Sequence, residues 1–192
     1  MLDQYLKGDV TRISPEAPAP VFNVNEYINI PGGAGNVAMN ISSLNAKVSI
    51  CSVVGDDEAR KILLKELTSK NINVKGIVTD KKRKTTIKQR ALCDSHQLIR
   101  LDFESLENIS EKIENNVVKF LSKEINNVDA IVISDYAKGM LTSKIINFLK
   151  ENSKKPIFVD SKLKNVEFYK NVFLIKPNLK EAVEISGISE NV

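Results

Sequence analysis

The run Pro31-Gly32-Gly33-Ala34-Gly35-Asn36-Val37-Ala38-Met39-Asn40 sets a glycine turn directly ahead of an apolar, helix-forming stretch. Glycine reaches positive φ and lets backbone approach a ligand closely, so Gly32 and Gly33 ahead of a helix offer free amides and partial positive charge to something polar. Asn36 either caps that helix or presents donor and acceptor to a hydroxylated ligand. The spacing is neither the dinucleotide fingerprint nor a Walker loop, since no Gly-Lys-Ser/Thr follows. A tight turn before a core helix is the plain alternative.

A second set of candidates is cationic. In an alternating stretch, Lys84, Thr86, Lys88 and Arg90 share one face, with Thr85, Ile87, Gln89 and Ala91 on the other. Cys93-Asp94-Ser95-His96 reads as a hairpin turn, and the returning strand sets Leu98, Arg100 and Asp102 against Ile99, Leu101 and Phe103. Lys88 and Arg90 suit a phosphate, whereas Lys81 and Lys82 read as a solvated approach and His96 as an exposed turn residue. A third set stands just past apolar strand ends: Asp135, Lys138, Asp160, Lys176 and Asn178. In parallel α/β sheets that rim faces the ligand crevice. Singly each is more often a cap or turn former; five together favour a site, for a metal-nucleotide or for polyol hydroxyls.

The elements that must position them read as α/β. Gly8 to Pro20 is rich in turn formers and prolines, which predicts an extended loop. Val21–Val24 and Tyr27–Ile30 predict two short strands around Asn25-Glu26. After a helix ending near Leu44-Asn45, Val48–Val54 is a buried strand, Asp57 caps a helix carrying Leu63 and Leu67, and Val74–Val78 is a further strand. Ser110 caps a helix through Glu124. Then come strand Ala130–Ile133, helix Thr142–Leu149, strands Ile157–Asp160 and Phe173–Lys176, and a helix from Leu179. This alternation predicts a parallel sheet flanked by helices, with a small antiparallel β flap.

The 192 residues, 42% hydrophobic and 27% charged, are globular material with room for a core. No run approaches the roughly 20 apolar residues that span a bilayer, and no signal peptide opens the chain. Cys51 and Cys93 lack metal spacing, which suits a reducing cytoplasm. A net charge of +4 fits an anionic small ligand as readily as nucleic acid, and the Lys81–Arg90 cluster lacks the interleaved aromatics of a nucleic-acid platform.

Five segments together resemble the ribokinase-like (PfkB) sugar kinases: Thr11–Pro18, Gly32–Ala38, Gln97–Glu104, Ser134–Gly139 and Lys176–Glu181. The resemblance covers essentially the whole chain. The first and third segments are closest to the branch that phosphorylates D-glycero-β-D-manno-heptose 7-phosphate at C1, on the route to the lipopolysaccharide inner core. It implies a Rossmann-like ribokinase fold whose β lid, here segments of about 5–31 and 83–103, closes over the sugar and often pairs two chains. It further implies ATP as donor with Mg. Asp3, Gly32, Gly33 and Asn36 match the family's sugar contacts, and Lys88 and Arg90 fall where the 7-phosphate would sit, with Asp135 and Lys138 also on the substrate side. Asn178 and Glu181 match its Asn-x-x-Glu element, which works with magnesium and ATP, Glu181 indirectly; Asp160 and Lys176 are placed on the same nucleotide side. The resemblance places the family's catalytic aspartate, in a Gly-Ala-Gly-Asp turn, beyond Val192, and the first strand with its Gly-Asp ahead of Met1; neither is found in this sequence. The expectation is a partial kinase domain over residues 1–192, with no catalytic residue present and negligible turnover alone. A non-catalytic sugar-phosphate-binding or lid-pairing module, or a PfkB kinase for another sugar such as fructose 1-phosphate or ribose, is the alternative.

Overall fold

The computed structural model describes residues 1–187. Val192, beyond which the resemblance sets the catalytic aspartate, lies outside the described residues, so the expectation attached to that end of the chain has no structural counterpart here. Strands β1 (Leu2–Ile13) and β2 (Pro20–Pro31) precede α1 (Ala34–Ser43), β3 (Ser49–Val54), α2 (Glu58–Ser69) and β4 (Asn73–Thr79). A hairpin of β5 (Ile87–Cys93) and β6 (His96–Phe103) follows. The chain then runs through α3 (Glu111–Glu124), β7 (Ile131–Ser134), α4 (Ser143–Asn152), β8 (Ile157–Asp160), a 3₁₀ segment over Leu163–Tyr169, β9 (Leu174–Ile175) and α5 (Leu179–Ser186).

The strands form three hydrogen-bonded blocks: a sheet ordered β2-β1-β5-β6, a parallel pair β3-β4, and a parallel block β7-β8-β9. In the first block β1 pairs antiparallel with β2 but parallel with β5. This is the flap, and it is larger than the sequence suggests. The stretch from Gly8 to Pro20 is strand as far as Ile13, and the two short strands beyond it are the single β2. The turn formers are absorbed as irregularities: the register slips at Lys7/Gly8, where Asn25 is the extra residue on β2, and again at Val10/Arg12. The first six residues of β1 have partners at both edges, and Gly8 to Ile13 continue the antiparallel ladder with β2 alone, which outweighs weak local propensity.

Two cores hold the rest. Ala38 of α1, Leu63 and Leu67 of α2, and Val54 of β3 enclose Leu2, which is fully buried. Ile113 and Val117 of α3 meet Ile145, Ile146 and Leu149 of α4 over Ile133 and Val159. The opposite face of the β7-β8-β9 block is open: Val132, Phe158 and Leu174 stand in one cross-strand row, with Val132 48% and Leu174 45% exposed. No helix of the described residues is long and apolar enough to cross a membrane.

The flap is tied to the core through Asp57. Its carboxylate accepts from Arg60 N at 3.0 Å as the cap of α2 and from Thr85 N at 2.8 Å, while the buried Thr85 hydroxyl accepts from Gly55 N. Burial is the largest single influence and raises the Asp57 pKa, but the hydrogen bonds from Thr85 and Arg60 together outweigh it and hold it below the ordinary value. A depressed carboxylate pKa contributes stability above the unfolded pKa and loses it as pH falls through the folded one. Asp57→Ala is therefore expected to cost about 2 kcal/mol in urea unfolding at neutral pH. The stability difference from wild type should shrink as pH drops below about 4; a difference independent of pH there would contradict this role. By contrast Ser110, at the start of α3, makes no side-chain cap bond.

Candidate functional site

The glycine turn and the flap face one another across a cleft of about 470 Å³. On the turn side, α1 begins at Gly33, whose φ of 56° is the left-handed conformation that favours glycine. Gly32 does a different job: a Cβ there would lie 2.0 Å from Asp3 Oδ2, so the missing side chain makes room for that carboxylate. Gly33 and Asn36 line the cleft while Gly32 supports Asp3 from behind. Asn36 is exposed on the first turn and is not the cap of α1, so its amide is left to face the cleft.

On the flap side, register fixes which residues meet. Asp3 pairs with Lys88 and Tyr5 with Arg90 across β1-β5; Lys88 pairs with Asp102 and Arg90 with Arg100 across β5-β6. Because strand side chains alternate, all of these share one face, and Lys88 and Arg90 line the same cleft as Gly33 and Asn36. Arg90 donates through Nη1 to Asp3 Oδ1 at 2.7 Å, and its guanidinium carbon sits 5.4 Å from the Tyr5 ring centre. The Asp3 hydrogen bond raises the Arg90 pKa further. Lys88 Nζ bonds Asp102 at 3.0 Å, which holds the Asp102 carboxyl below the usual range. Arg100 grips the same carboxylate through Nε at 3.0 Å and Nη2 at 3.1 Å.

Asp135 lies elsewhere. It is buried, with Oδ2 accepting from Asn165 Nδ2 and Tyr169 Oη, both at 2.7 Å, and Oδ1 from Ala137 N at 2.7 Å. Its carboxylate ties the Ser134–Gly139 loop to the 3₁₀ segment rather than facing the crevice. Lys138 is likewise committed, to Glu104 at 2.5 Å. Position just past a strand end does not fix direction, and here the loop turns inward through Ala137 at φ 53°.

The remaining rim residues gather at α5. Asn178 caps the helix, and Glu181 completes a reciprocal capping box. Lys162 Nζ reaches Glu181 at 2.5 Å, lowering the Glu181 pKa and raising that of Lys162. Lys176 adds to the field at Glu181, and Asp160 and Tyr136 to that at Lys162. Both Glu181 oxygens are engaged, and among the described residues no three metal-ligating side chains cluster.

The sequence reading left Arg100 and Tyr136 out of the site, yet both line the cleft. For Arg100 the signal was present in its parity with Asp102 on the returning strand. Tyr136 lies in the Ser134–Gly139 segment, where no local pattern marks it as a cleft residue.

Relatives are consistent with this architecture. A protein named Bifunctional protein HldE from Geobacter sulfurreducens is 43% identical over 194 residues, covering 98% of this chain and 39% of its own. Its namesake from Desulfatibacillum aliphaticivorans is 40% identical over 191 residues, again 98% of this chain and 39% of its own. The chain thus spans about two fifths of these relatives. Among solved structures, the phosphofructokinase-2 of Escherichia coli in complex with substrates and products shares the fold with a TM-score of 0.75 at 19% identity, over 100% of this chain and 62% of that one. With the sequence model of the pfkB family carbohydrate kinase matching residues 3–192, the chain belongs to that family.

Proposed function

We propose that the chain supplies the sugar-phosphate-binding part of an ATP-dependent kinase that acts on D-glycero-β-D-manno-heptose 7-phosphate at its C1 hydroxyl. One observation carries the reading: Asn36 and the Gly33 backbone from the turn side, and Asp3 with three cations (Lys88, Arg90, Arg100) from the flap side, line the same cleft. Carboxylate and amide satisfy sugar hydroxyls, and clustered ammonium and guanidinium groups satisfy a phosphate ester. The segments Thr11–Pro18 and Gln97–Glu104, which resemble the heptose 7-phosphate branch, support heptose over other sugars.

Phosphoryl transfer rests on positioning and on neutralising charge. The chain's own residues would hold the sugar through Asp3 and Asn36 and anchor its distal phosphate on the flap. Asp3 is the one carboxylate lining the cleft among the described residues, and it is pinned by Arg90, so it serves as a hydroxyl acceptor rather than a free base. On this reading ATP would lie toward Asp160, Lys162, Lys176, Asn178 and Glu181. These residues do not build a magnesium site by themselves, since the Glu181 oxygens are already taken, and magnesium would enter with the ATP phosphates.

We extend the reading to pairing of two chains through the flap. Its other face exposes Tyr27, Ile99, Leu101 and Phe103, by 67%, 53%, 40% and 42%. The test of the main reading is calorimetry of the chain with heptose 7-phosphate, unphosphorylated heptose, fructose 1-phosphate and ribose. The expected order puts heptose 7-phosphate at least tenfold ahead of each other ligand; a chain that prefers fructose 1-phosphate or ribose would overturn the heptose assignment.

A further inference from the structure

Cross-strand register sets Arg90 directly opposite Arg100, and a directly opposed pair of like charges destabilises a sheet. One residue offsets this: Asp102 lies opposite Lys88 and two positions from Arg100 on the same face, and binds both. It takes only part of each cation's donor set. Arg100 gives it Nε and one Nη2 hydrogen, with no partner for Nη1 among the described residues, and Lys88 gives one of its three ammonium hydrogens. On the neighbouring strand Asp3 plays the same part for Arg90, taking Nη1 and leaving Nε and Nη2 free of side-chain partners. Two carboxylates, on the strands that flank β5, thus hold three cations, and the cluster keeps a net positive charge.

We propose that Asp102 is a positioning residue: it fixes Lys88 and Arg100 in one geometry with their spare donors turned to the cleft, and so makes the flap selective for a phosphate monoester. The inference rests on the sugar-phosphate reading and deepens it. The competing effect has the opposite sign. A carboxylate beside a bound phosphate repels it, so if Asp102 merely occupied the cations, removing its charge would tighten phosphate binding. Positioning dominates if the ordering of a long lysine and an arginine outweighs that repulsion; both side chains are rotamer-rich, and immobilising each on binding costs affinity that a preset geometry avoids.

The experiment is calorimetry of the full chain and of Asp102→Asn with heptose 7-phosphate and with unphosphorylated heptose, read as the ratio of the two affinities. Asparagine keeps shape and one acceptor but loses the charge that orients both cations. We expect the ratio to fall about tenfold in Asp102→Asn and to recover at least partly in Asp102→Glu. In a Lys88→Gln, Arg100→Gln background, adding Asp102→Asn should change the ratio less than twofold, a coupling that a general loosening of the strand would not give. A wild-type chain with no preference for the phosphorylated sugar would sink the sugar-phosphate reading and this inference with it. A wild-type preference that Asp102→Asn retains or strengthens would overturn the Asp102 role alone.

Discussion

Arg90→Leu is expected to lower the affinity for heptose 7-phosphate at least 100-fold in calorimetry. Two losses combine. The variant removes a charged donor set from the phosphate, and hydrogen bonds to charged groups are worth about 1.5–3 kcal/mol each. It also strands the Asp3 carboxylate, whose side chain is only 18% exposed and whose ion pair with Arg90 spans 2.7 Å. Two such hydrogen bonds lost amount to about 3 kcal/mol or more, which at about 1.4 kcal/mol per decade is at least 100-fold, and the bare Asp3 carboxylate then repels the phosphate. Arg90→Lys should recover little. A point-like ammonium cannot grip Asp3 and a phosphate with separate edges as a guanidinium can. A change under threefold for Arg90→Leu would remove Arg90 from the binding site and with it the main support for an anionic ligand.

That Arg90 belongs beside Lys88 was readable from the alternation of residues 84–91 alone, because strand parity is a local property. Its contact with Asp3 was not: the two are 87 positions apart and meet because β1 runs parallel to β5, a pairing that no local pattern announces. The same limit explains β1 itself. Its turn formers from Gly8 onward predict a loop, and only the antiparallel pairing with β2 makes them strand. Elements whose boundaries depend on nearby chemistry were legible, such as the Asp57 cap of α2 and the start of α5 after Asn178. That Asp135 turns to Asn165, Tyr169 and Ala137 was hidden for a related reason, since position at a strand end says where a residue is but not which way the following loop turns.

The same inward turn sets up the largest expected loss of stability. Asp135→Ala should lower the free energy of unfolding by about 3–5 kcal/mol and, with a urea slope of about 1–3 kcal/mol/M, move the urea midpoint down by roughly 2 M. Three donors lose their acceptor at once, Asn165 Nδ2, Tyr169 Oη and Ala137 N, and a buried unsatisfied donor costs about 1–3 kcal/mol. Tyr169 is fully buried, so its hydroxyl is cut off from water. Burial, and then the bond to Asp135, push the Tyr169 pKa upward, so the phenol stays the donor throughout the neutral range. Asp135→Asn keeps the volume but must turn an NH2 toward one of the donors, so about half the loss should remain. Tyr169→Phe removes one donor and leaves the carboxylate two, which sets its cost lower, at about 1–2 kcal/mol. A loss below 1 kcal/mol for Asp135→Ala would show that the donors find other partners. The consequence reaches the cleft because Tyr136 sits between Asp135 and Ala137, on the loop those bonds hold. At a temperature where Asp135→Ala is still folded, sugar affinity should fall with Tyr136 released from the cleft wall, and Tyr136→Ala in the wild-type background should reproduce that fall without the loss of stability.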